Sequence, residues 1–331
     1  MKQWKEPVPI LTNPPMENVQ IGLAVNASPS LGFGHAVRCR RIAHALKGQT
    51  AILPLSEVCR RFFEASGFGA EILDWKTDAL PPVMITDLRE AHPITHAIRS
   101  QGSAYVSIHD MGLAQCPSNI AIDGSVAHVV PYSPHQDQTL FLGPRYMITR
   151  PVARAAASDI EDTVLVTVGG GASADFARRI AEQLKPLGIR VITTTGFGPN
   201  PRNPPTPESQ IENAMATCRF AISAAGTTLY DLLASGVPTI AVAVDRIQLR
   251  TAEEFQQLGA TVSAGLLDRL SPGELLDRCR EMLGNEILVS QMVSAGRDMV
   301  DGKGLSRVVD IIGNPGRESW KHHQTQTSTL C

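Results

Sequence analysis

The segment Gly32-Phe33-Gly34-His35 comes directly after the first strand-like stretch of the chain, residues 21–25, and directly before a helical pattern. Glycine suits such a turn and lets the backbone approach a ligand closely, but a turn does not need the histidine. The positive end of the helix dipole disfavours an imidazolium, and a neutral imidazole in a cleft is a competent general base. We therefore predict that His35 is catalytic and that Gly32 and Gly34 shape its loop. The alternative is a turn histidine without chemistry.

The loop is not a dinucleotide-binding loop of the usual kind. That pattern, GxGxxG, would require glycine or alanine at position 37, where this chain has Val37. The loop is therefore not a standard NAD loop, and we predict no cofactor for the protein.

The stretch AAGTTLYDLLASGVP, residues 224–238, has two interpretations. It fits a capping box in which Thr228 caps a helix and Asp231 is its partner. It also fits a site where Gly226, Thr227 and Thr228 hold a diphosphate at a helix N-terminus, with Asp231 accepting hydrogen bonds from ribose hydroxyls. Both can hold at once, because a cap satisfies only some of the free amides of a helix end.

Weaker signals lie at four other strand ends. Gly170, within the triplet 169–171, is either part of a flexible turn or part of a phosphate or sugar contact through backbone amides. Gln248, together with Asp245, could reach the same cleft or be an ordinary surface residue. The carboxylates of Asp87 and Asp110 could position His35 or a substrate hydroxyl, or cap the next element.

Two further histidine features carry no predicted chemistry. His109 is interpreted as structural. The pair His322-His323 has no acidic or cysteine partners at metal-ligand spacing, so we predict no metal site.

Strand and helix patterns alternate along the chain, which predicts βαβ units and parallel sheets. Predicted strands in the first half include 21–25, 50–55, 70–75, 83–88, 104–110 and 120–125; those in the second half include 163–171, 189–196, 220–226 and 239–245. A helix over 35–48 places Cys39, Ile42, Ala43 and Leu46 on one apolar face. The predicted fold is α/β, with two doubly wound domains that face each other across a cleft.

The predicted domain organisation has four parts: a loose leader over 1–19, a first domain over 20–150, a second over 151–313 and a polar tail over 314–331. Residues 143–154 are a candidate hinge strand, and the helices over 271–313 could cross back to the first domain. Residues 199–209 form a proline-rich loop.

The composition excludes several classes of function. A net charge of −2 and 5% aromatic residues argue against a nucleic-acid partner. Six cysteines without CxxC spacing indicate free thiols in a reducing compartment. The chain shows no apolar run of transmembrane length and no signal-peptide core, so we predict a cytoplasmic protein without an integral membrane segment. The sequence does not predict an oligomeric state.

Four segments together resemble a known family: GFGHAVRCRRIAHAL, FLGPRYMITRP, VLVTVGGGASAD and AISAAGTTLYDLLASGVPTIAVAVDRIQ. In order and spacing they are similar to the UDP-sugar hydrolase of pseudaminic acid biosynthesis and the related spore coat polysaccharide proteins. These belong to the wider GT-B group, which includes the UDP-GlcNAc transferase of peptidoglycan assembly. The resemblance covers residues 20 to 310, and its specific parts are GxGHxxRC and AxGTTxxDL.

The resemblance implies a GT-B fold with a UDP-sugar held mainly by the second domain. By position, His35 would activate water for attack at the anomeric carbon, releasing UDP and a free amino sugar. Asp231 would take the ribose place, where the family usually has glutamate. Other implied substrate-binding residues are Gly32, Gly34, Arg38, Asp87, Gly170, Gly226, Thr227, Thr228 and Gln248.

The departures from the family pattern fall mostly on the sugar side. The Asp-x-Tyr of the family is Asp87-Leu88-Arg89 here, so an expected sugar-contacting tyrosine is missing, and its Asn-Gln pair is Ile247-Gln248. Three functions therefore stay open for a protein whose predicted partner is a UDP-sugar. They are hydrolysis in nonulosonic acid or surface polysaccharide biosynthesis, transfer of the sugar to an acceptor, and binding of a UDP-sugar without catalysis.

Overall fold

The computed structural model describes residues 20–28, 31–46, 48–89, 91–111, 116–127, 138–167, 174–194 and 208–313. The predicted leader and tail, the glycine triplet with Gly170 and most of the proline-rich loop lie outside these residues. Within them, no helix is both long and apolar enough to cross a membrane.

The first half of the chain forms a six-stranded parallel sheet. Its strands are β1 (Ile21–Val25), β2 (Thr50–Pro54), β3 (Val83–Asp87), β4 (Ala104–His109), β5 (Ile120–Asp123) and β6 (Thr139–Leu142). They lie in the order β2-β1-β3-β4-β5-β6. The connecting helices are α1 (Gly34–Ala45), α2 (Glu57–Ala65) and α3 (Ile94–Ser100). The central strands are continuous apolar runs because helices cover both faces of a parallel sheet.

The second half forms a five-stranded parallel sheet in the order β11-β10-β9-β7-β8. Its strands are β7 (Glu161–Thr167), β8 (Arg190–Thr194), β9 (Cys218–Ala224), β10 (Thr239–Ala243) and β11 (Val262–Leu266). Its helices are α4 (Ala174–Leu184), α5 (Glu208–Thr217), α6 (Thr227–Ser235), α7 (Arg246–Gln257), α8 (Pro272–Gly284) and α9 (Glu286–Met299). Two doubly wound parallel sheets confirm the predicted fold class.

The last helix, α10 (Gly304–Gly313), leaves the second half and packs on the first. Val308, Ile311 and Ile312 are buried in the same apolar cluster as Ile42 of α1 and Ile148. The apolar face of α10 therefore completes the first core, whereas α8 and α9 pack in the second. Of the helices over 271–313 that could cross back, α10 therefore does so and α8 and α9 do not, while the domain bounds stay a prediction.

Two predicted strands are wrong. Residues 70–75 form a 3-10 turn at Gly69–Glu71 and a single bridge from Ile52 to Ile72, so this segment is not a sheet strand. The candidate hinge strand over 143–154 begins at Gly143, whose φ of 97° favours glycine, and continues as a 3-10 turn at Pro144–Tyr146. Proline lacks the backbone donor that a ladder requires. Strands β6 and β11 and helix α5 were not predicted.

Candidate functional site

The predicted catalytic loop lies at the topological switch point of the first sheet. Strand β1 is central, with β2 on one side and β3 on the other, so the chain leaves the carboxyl ends of β1 and β3 in opposite directions. Open α/β sheets bind ligands in the crevice that forms there. His35 follows β1 and Asp87 is the last residue of β3, so the strand order brings them together although 52 residues separate them.

The glycines of the loop have distinct local roles. Gly32 adopts a φ of 81°, and its amide donates to the Ser28 carbonyl oxygen at 2.8 Å. This left-handed conformation is strained for other residues. Gly34 begins α1, and a Cβ added there would lie 3.4 Å from Thr227 Oγ1 of the second half. The predicted shaping role of both glycines thus has a geometric basis, and Gly34 marks a close approach between the two halves.

A buried dyad forms between His35 and Asp87. The Nδ1 atom of His35 lies 2.6 Å from Asp87 Oδ1, and the Asp87 side chain is fully buried. Arg38 binds the same carboxylate with two bonds, from Nε at 2.7 Å and from Nη2 at 2.6 Å. Burial would raise the pKa of Asp87, but Arg38 and His35 hold it well below its usual range. The carboxylate is therefore ionised and accepts the Nδ1 hydrogen, which leaves Nε2 of a neutral His35 as an acceptor.

A second carboxylate faces the other side of the imidazole. Asp110 Oδ2 lies 3.7 Å from His35 Nε2, and Asp110 Oδ1 accepts from Arg38 Nη1 at 2.5 Å. Its side chain is 26% exposed, compared with 11% for His35 and 3% for Arg38, so Asp110 is the most accessible member of the cluster. The structure thus places both candidate carboxylates around His35.

The prediction that His35 would be held in its neutral form is wrong, because neighbouring charges favour the imidazolium. The helix N-terminus was expected to disfavour the imidazolium. Burial does lower the pKa of His35 and Arg38 adds to that effect, but the charges of Asp87 and Asp110 and the Asp87 hydrogen bond outweigh both. The net pKa is raised above 6.5. Two carboxylates surround one guanidinium, so a protonated His35 makes the cluster electrically neutral.

In the second half, α6 begins directly after β9 at the switch point between β7 and β9. Gly226 is the residue before the helix, and no side chain caps its first turn. The predicted capping box is therefore wrong, because the helix begins earlier than a Thr228 cap would allow. Thr227 and Thr228 lie within the first turn and remain available to a ligand.

Asp231 takes part in an ion pair between the two halves. Its carboxylate accepts from Arg41 Nη1 at 3.0 Å and Nη2 at 2.8 Å, and from the Arg150 amide at 2.8 Å. Arg41 lies on α1 and also donates to the Ile148 carbonyl oxygen at 3.1 Å. A ribose role for Asp231 stays a prediction, and it would require the ribose hydroxyls to share or replace these bonds.

Gln248 lies on α7 beside the start of α6. A Cβ added at Gly226 would be 3.8 Å from Gln248 Nε2. Asp245 caps α7 by accepting from the Gln248 amide at 2.7 Å. Two close approaches, between Gly34 and Thr227 and between Gly226 and Gln248, therefore bring these four predicted site residues together between the sheets. Gly170 lies outside the described residues.

A pocket that is open to solvent adjoins His35 on the first-half side. It is lined by Asn26, Leu31 and Leu55 together with residues that follow β3, among them Arg89 and His92. Arg89 was predicted only as a departure from the family pattern, and His92 was not predicted as a site residue. Arg41 was also missed, because its partner is 190 residues away and no local spacing connects them.

His109 is buried in the first half, and its structural role stays a prediction. Its Nε2 lies 2.6 Å from Ser107 Oγ, and burial lowers its pKa to about 4 although Asp87 and Asp110 oppose this. In the described part of the chain, no three His, Cys, Asp or Glu side chains are grouped to hold a metal ion.

Comparison with known proteins supports the wider resemblance. No family model matches the chain. It is 22% identical over 331 residues to "Spore coat polysaccharide biosynthesis protein SpsG" of Bacillus subtilis (strain 168), covering 89% of this chain and 98% of that protein. It is 30% identical over 124 residues to "Pseudaminic acid cytidylyltransferase and UDP-2,4-diacetamido-2,4,6-trideoxy-beta-L-altropyranose hydrolase" of Helicobacter pylori (strain ATCC 700392 / 26695). That match covers 35% of this chain and 22% of the Helicobacter protein.

Solved structures define the class of fold. The glycotransferase of kitacinnamycin has a TM-score of 0.63 at 14% identity, with 90% of this chain and 99% of that chain covered. MurG of Acinetobacter baumannii has a TM-score of 0.59 at 15% identity, with 89% and 99% covered. The chain therefore has the GT-B fold, two Rossmann-like domains with parallel sheets, in which glycosyltransferases are found.

Proposed function

We propose that this protein is a nucleotide-sugar enzyme of polysaccharide biosynthesis that breaks the bond between a sugar and UDP. The observation that carries the proposal is the buried dyad of His35 and Asp87, with a bond of 2.6 Å, placed opposite the uncapped start of α6. The similarity to the Bacillus spore coat protein and to part of the Helicobacter enzyme supports a nucleotide-sugar function.

The dyad supplies a base at one side of the cleft. The ionised Asp87 fixes the Nδ1–H tautomer of His35, so Nε2 takes the proton from an attacking nucleophile, and Asp87 then stabilises the imidazolium. The nucleophile attacks the anomeric carbon as the bond to the diphosphate breaks. Arg38, predicted as a substrate-binding residue, instead has the position of a residue that orients others, because it holds both carboxylates and is itself buried.

The start of α6 provides groups that can stabilise the leaving diphosphate. As the sugar–phosphate bond breaks, negative charge grows on the diphosphate. Free backbone amides and the positive dipole end of a helix stabilise such charge. Gly226, Thr227 and Thr228 would hold the diphosphate, and Gln248 lies beside them. This is the predicted nucleotide side of the site.

Two nucleophiles are candidates. Transfer to an acceptor hydroxyl is the first, because glycosyltransferases are among the proteins of the same fold. Hydrolysis is the second, and the 3.7 Å gap between His35 Nε2 and Asp110 Oδ2 favours it. When His35 is neutral, its Nε2 atom and Asp110 Oδ2 are both hydrogen-bond acceptors. A water molecule can donate one hydrogen to each of them, whereas an acceptor hydroxyl has a single hydrogen to donate.

The test measures UDP release from a panel of UDP-hexoses and UDP-amino sugars, with and without sugar acceptors. Wild type is compared with His35→Ala and with His44→Ala, an exposed histidine on the same helix. We expect His35→Ala to lower the rate by about 100- to 10,000-fold, the usual contribution of a general base, with UDP binding unchanged. Release without acceptor identifies hydrolysis, and release that needs an acceptor identifies transfer. Full activity of His35→Ala would refute the proposal.

A further inference from the structure

The pocket beside His35 is open to solvent and lies at the carboxyl ends of β1, β2 and β3. Clefts at the carboxyl ends of the strands of an open α/β sheet are where such folds bind small molecules. If the proposed function holds, the group bound there is the transferred sugar or its acceptor, since His35 forms part of the wall. The side chains of the remaining wall then determine which sugars fit.

Arg89 provides an unused charge on this wall. It is exposed, and it has no hydrogen bond or ion pair with any residue in the described ranges. A guanidinium is always charged, has only donors and matches the geometry of a carboxylate or phosphate. Its position, two residues after Asp87, fixes it at the mouth of the switch-point crevice.

His92 adds a second donor. Its Nδ1 accepts from the Ile94 amide at 3.2 Å. Burial and the nearby charge of Lys76 lower the pKa of His92, so the ring is neutral at neutral pH and its hydrogen lies on Nε2. The ring packs on Trp75 with centroids 5.4 Å apart, and the Lys76 ammonium lies 5.8 Å from the Trp75 ring centroid. Among the described lining residues, His92 therefore provides a neutral donor near the charged Arg89, while Trp75 and Lys76 pack behind it.

The negative charge on the wall is already neutralised. Asp87 is the carboxylate among the described lining residues, and it is bound by Arg38 and His35. The Arg89 side of the pocket thus has positive charge without a carboxylate to match it. A neutral sugar would leave the guanidinium with only solvent as a partner, whereas an anionic group would pair with it.

We propose that the ligand of this pocket carries an anionic group, a carboxylate or phosphate on the transferred sugar or on its acceptor, and that Arg89 recognises it. The inference rests on the proposed function for the location of the sugar. It names the substrate class that the sequence left open: an acidic sugar rather than a neutral one.

The first arm of the experiment tests the donor sugar. UDP-glucuronic acid and UDP-glucose, which differ only at the C6 carboxylate, are titrated by calorimetry into wild type, Arg89→Gln and Arg89→Lys. The N-acetylated pair is tested in the same way. Arg99→Gln, at an exposed arginine of α3, is the matched control. We expect at least about tenfold tighter binding of the acidic member to wild type, the size of a charge-assisted hydrogen bond. Arg89→Gln should lose this preference, Arg89→Lys should keep part of it and Arg99→Gln should keep all of it.

The second arm tests the acceptor. Protein saturated with UDP is titrated with glucuronate, glucose 6-phosphate and glucose. A preference of about tenfold for an anion that depends on Arg89 places the anionic group on the acceptor. Equal affinity within every pair in both arms, or a preference that survives Arg89→Gln, would overturn the inference. UDP alone is titrated in parallel. If UDP binds and neutral sugars are turned over equally well in Arg89→Gln, the proposed function stands and only the inference fails.

Discussion

The two loops that meet between the sheets differ in how their polar groups are satisfied. In the first half, His35 lies in a network of buried charges with Asp87 and Arg38, so its tautomer and orientation are fixed before any ligand arrives. In the second half, the start of α6 has hydroxyls and amides but no side-chain cap. A fixed charge network suits a base, whereas an uncapped helix start suits an anion that the ligand itself brings.

The two loops also differ in how much their polar groups contribute to the stability of the fold. Removing one partner from a buried ion pair leaves an uncompensated charge, which is strongly destabilising. Removing a hydroxyl that makes no cap bond leaves the folded state almost unchanged. We therefore expect substitutions in the first loop to affect stability and substitutions in the second loop to affect ligand affinity.

The largest expected effect is that of Asp87→Asn. The change leaves buried Arg38 with Asp110 as its remaining described carboxylate partner, and we expect the free energy of unfolding to fall by about 3–5 kcal/mol. Urea unfolding followed by circular dichroism measures it. Asp245→Asn, an exposed helix cap in the second half, is the control and should be nearly neutral because asparagine caps equally well. Equal effects of the two changes would remove the distinction between the loops.

A smaller effect is expected from Thr227→Ala with Thr228→Ala. If each hydroxyl donates to the diphosphate, the pair contributes about 1 kcal/mol per bond, so UDP should bind about ten- to thirtyfold more weakly. The free energy of unfolding should not fall, since neither threonine caps the helix. Thr217→Ala, at the end of α5, controls for loss of a hydroxyl elsewhere. A loss of stability with normal UDP affinity would show that the threonines are structural.

The smallest effect is a shift in pH dependence. A base acts in its unprotonated form, so activity should fall as the pH decreases through the pKa of His35, which is raised above 6.5. The charge of Asp110 contributes to that rise, so Asp110→Asn should move the midpoint of the pH–rate profile to lower pH. Asp277→Asn, an exposed residue of α8, should leave it in place. A midpoint that does not move, or moves to higher pH, would contradict the charge balance described for this cluster.

Much of the fold followed from local patterns. The apolar runs and intervening helices predicted parallel sheets, and the burial of Cys39, Ile42, Ala43 and Leu46 agrees with the predicted face of α1. The errors arose where a segment lacked sheet partners. Residues 70–75 have a strand-like composition, but the edge position beside β2 provides one bridge and no ladder.

The site was predictable as a set of loops but not as a set of contacts. His35, Asp87 and Asp110 were recognised at strand ends, and strand ends of a parallel sheet gather at one edge. The sequence did not predict that Asp87 would face Nδ1 of His35 and Asp110 would face Nε2. This pairing depends on the strand order and on Arg38, which binds both carboxylates. The raised pKa of His35 follows from that arrangement, because the two carboxylates have a larger effect on the imidazole than the helix dipole was expected to have.

The sequence by itself determined the alternation of strands and helices and the placement of glycine, histidine and threonine where strands become helices. These features depend on residues within a few positions of each other, which turn chemistry and side-chain periodicity govern. Only the tertiary structure decided that Arg41 binds Asp231, that α10 returns to the first core and that Arg89 lines the pocket beside His35. Each of these joins segments distant in the chain, and their pairing is set by strand order and packing rather than by spacing.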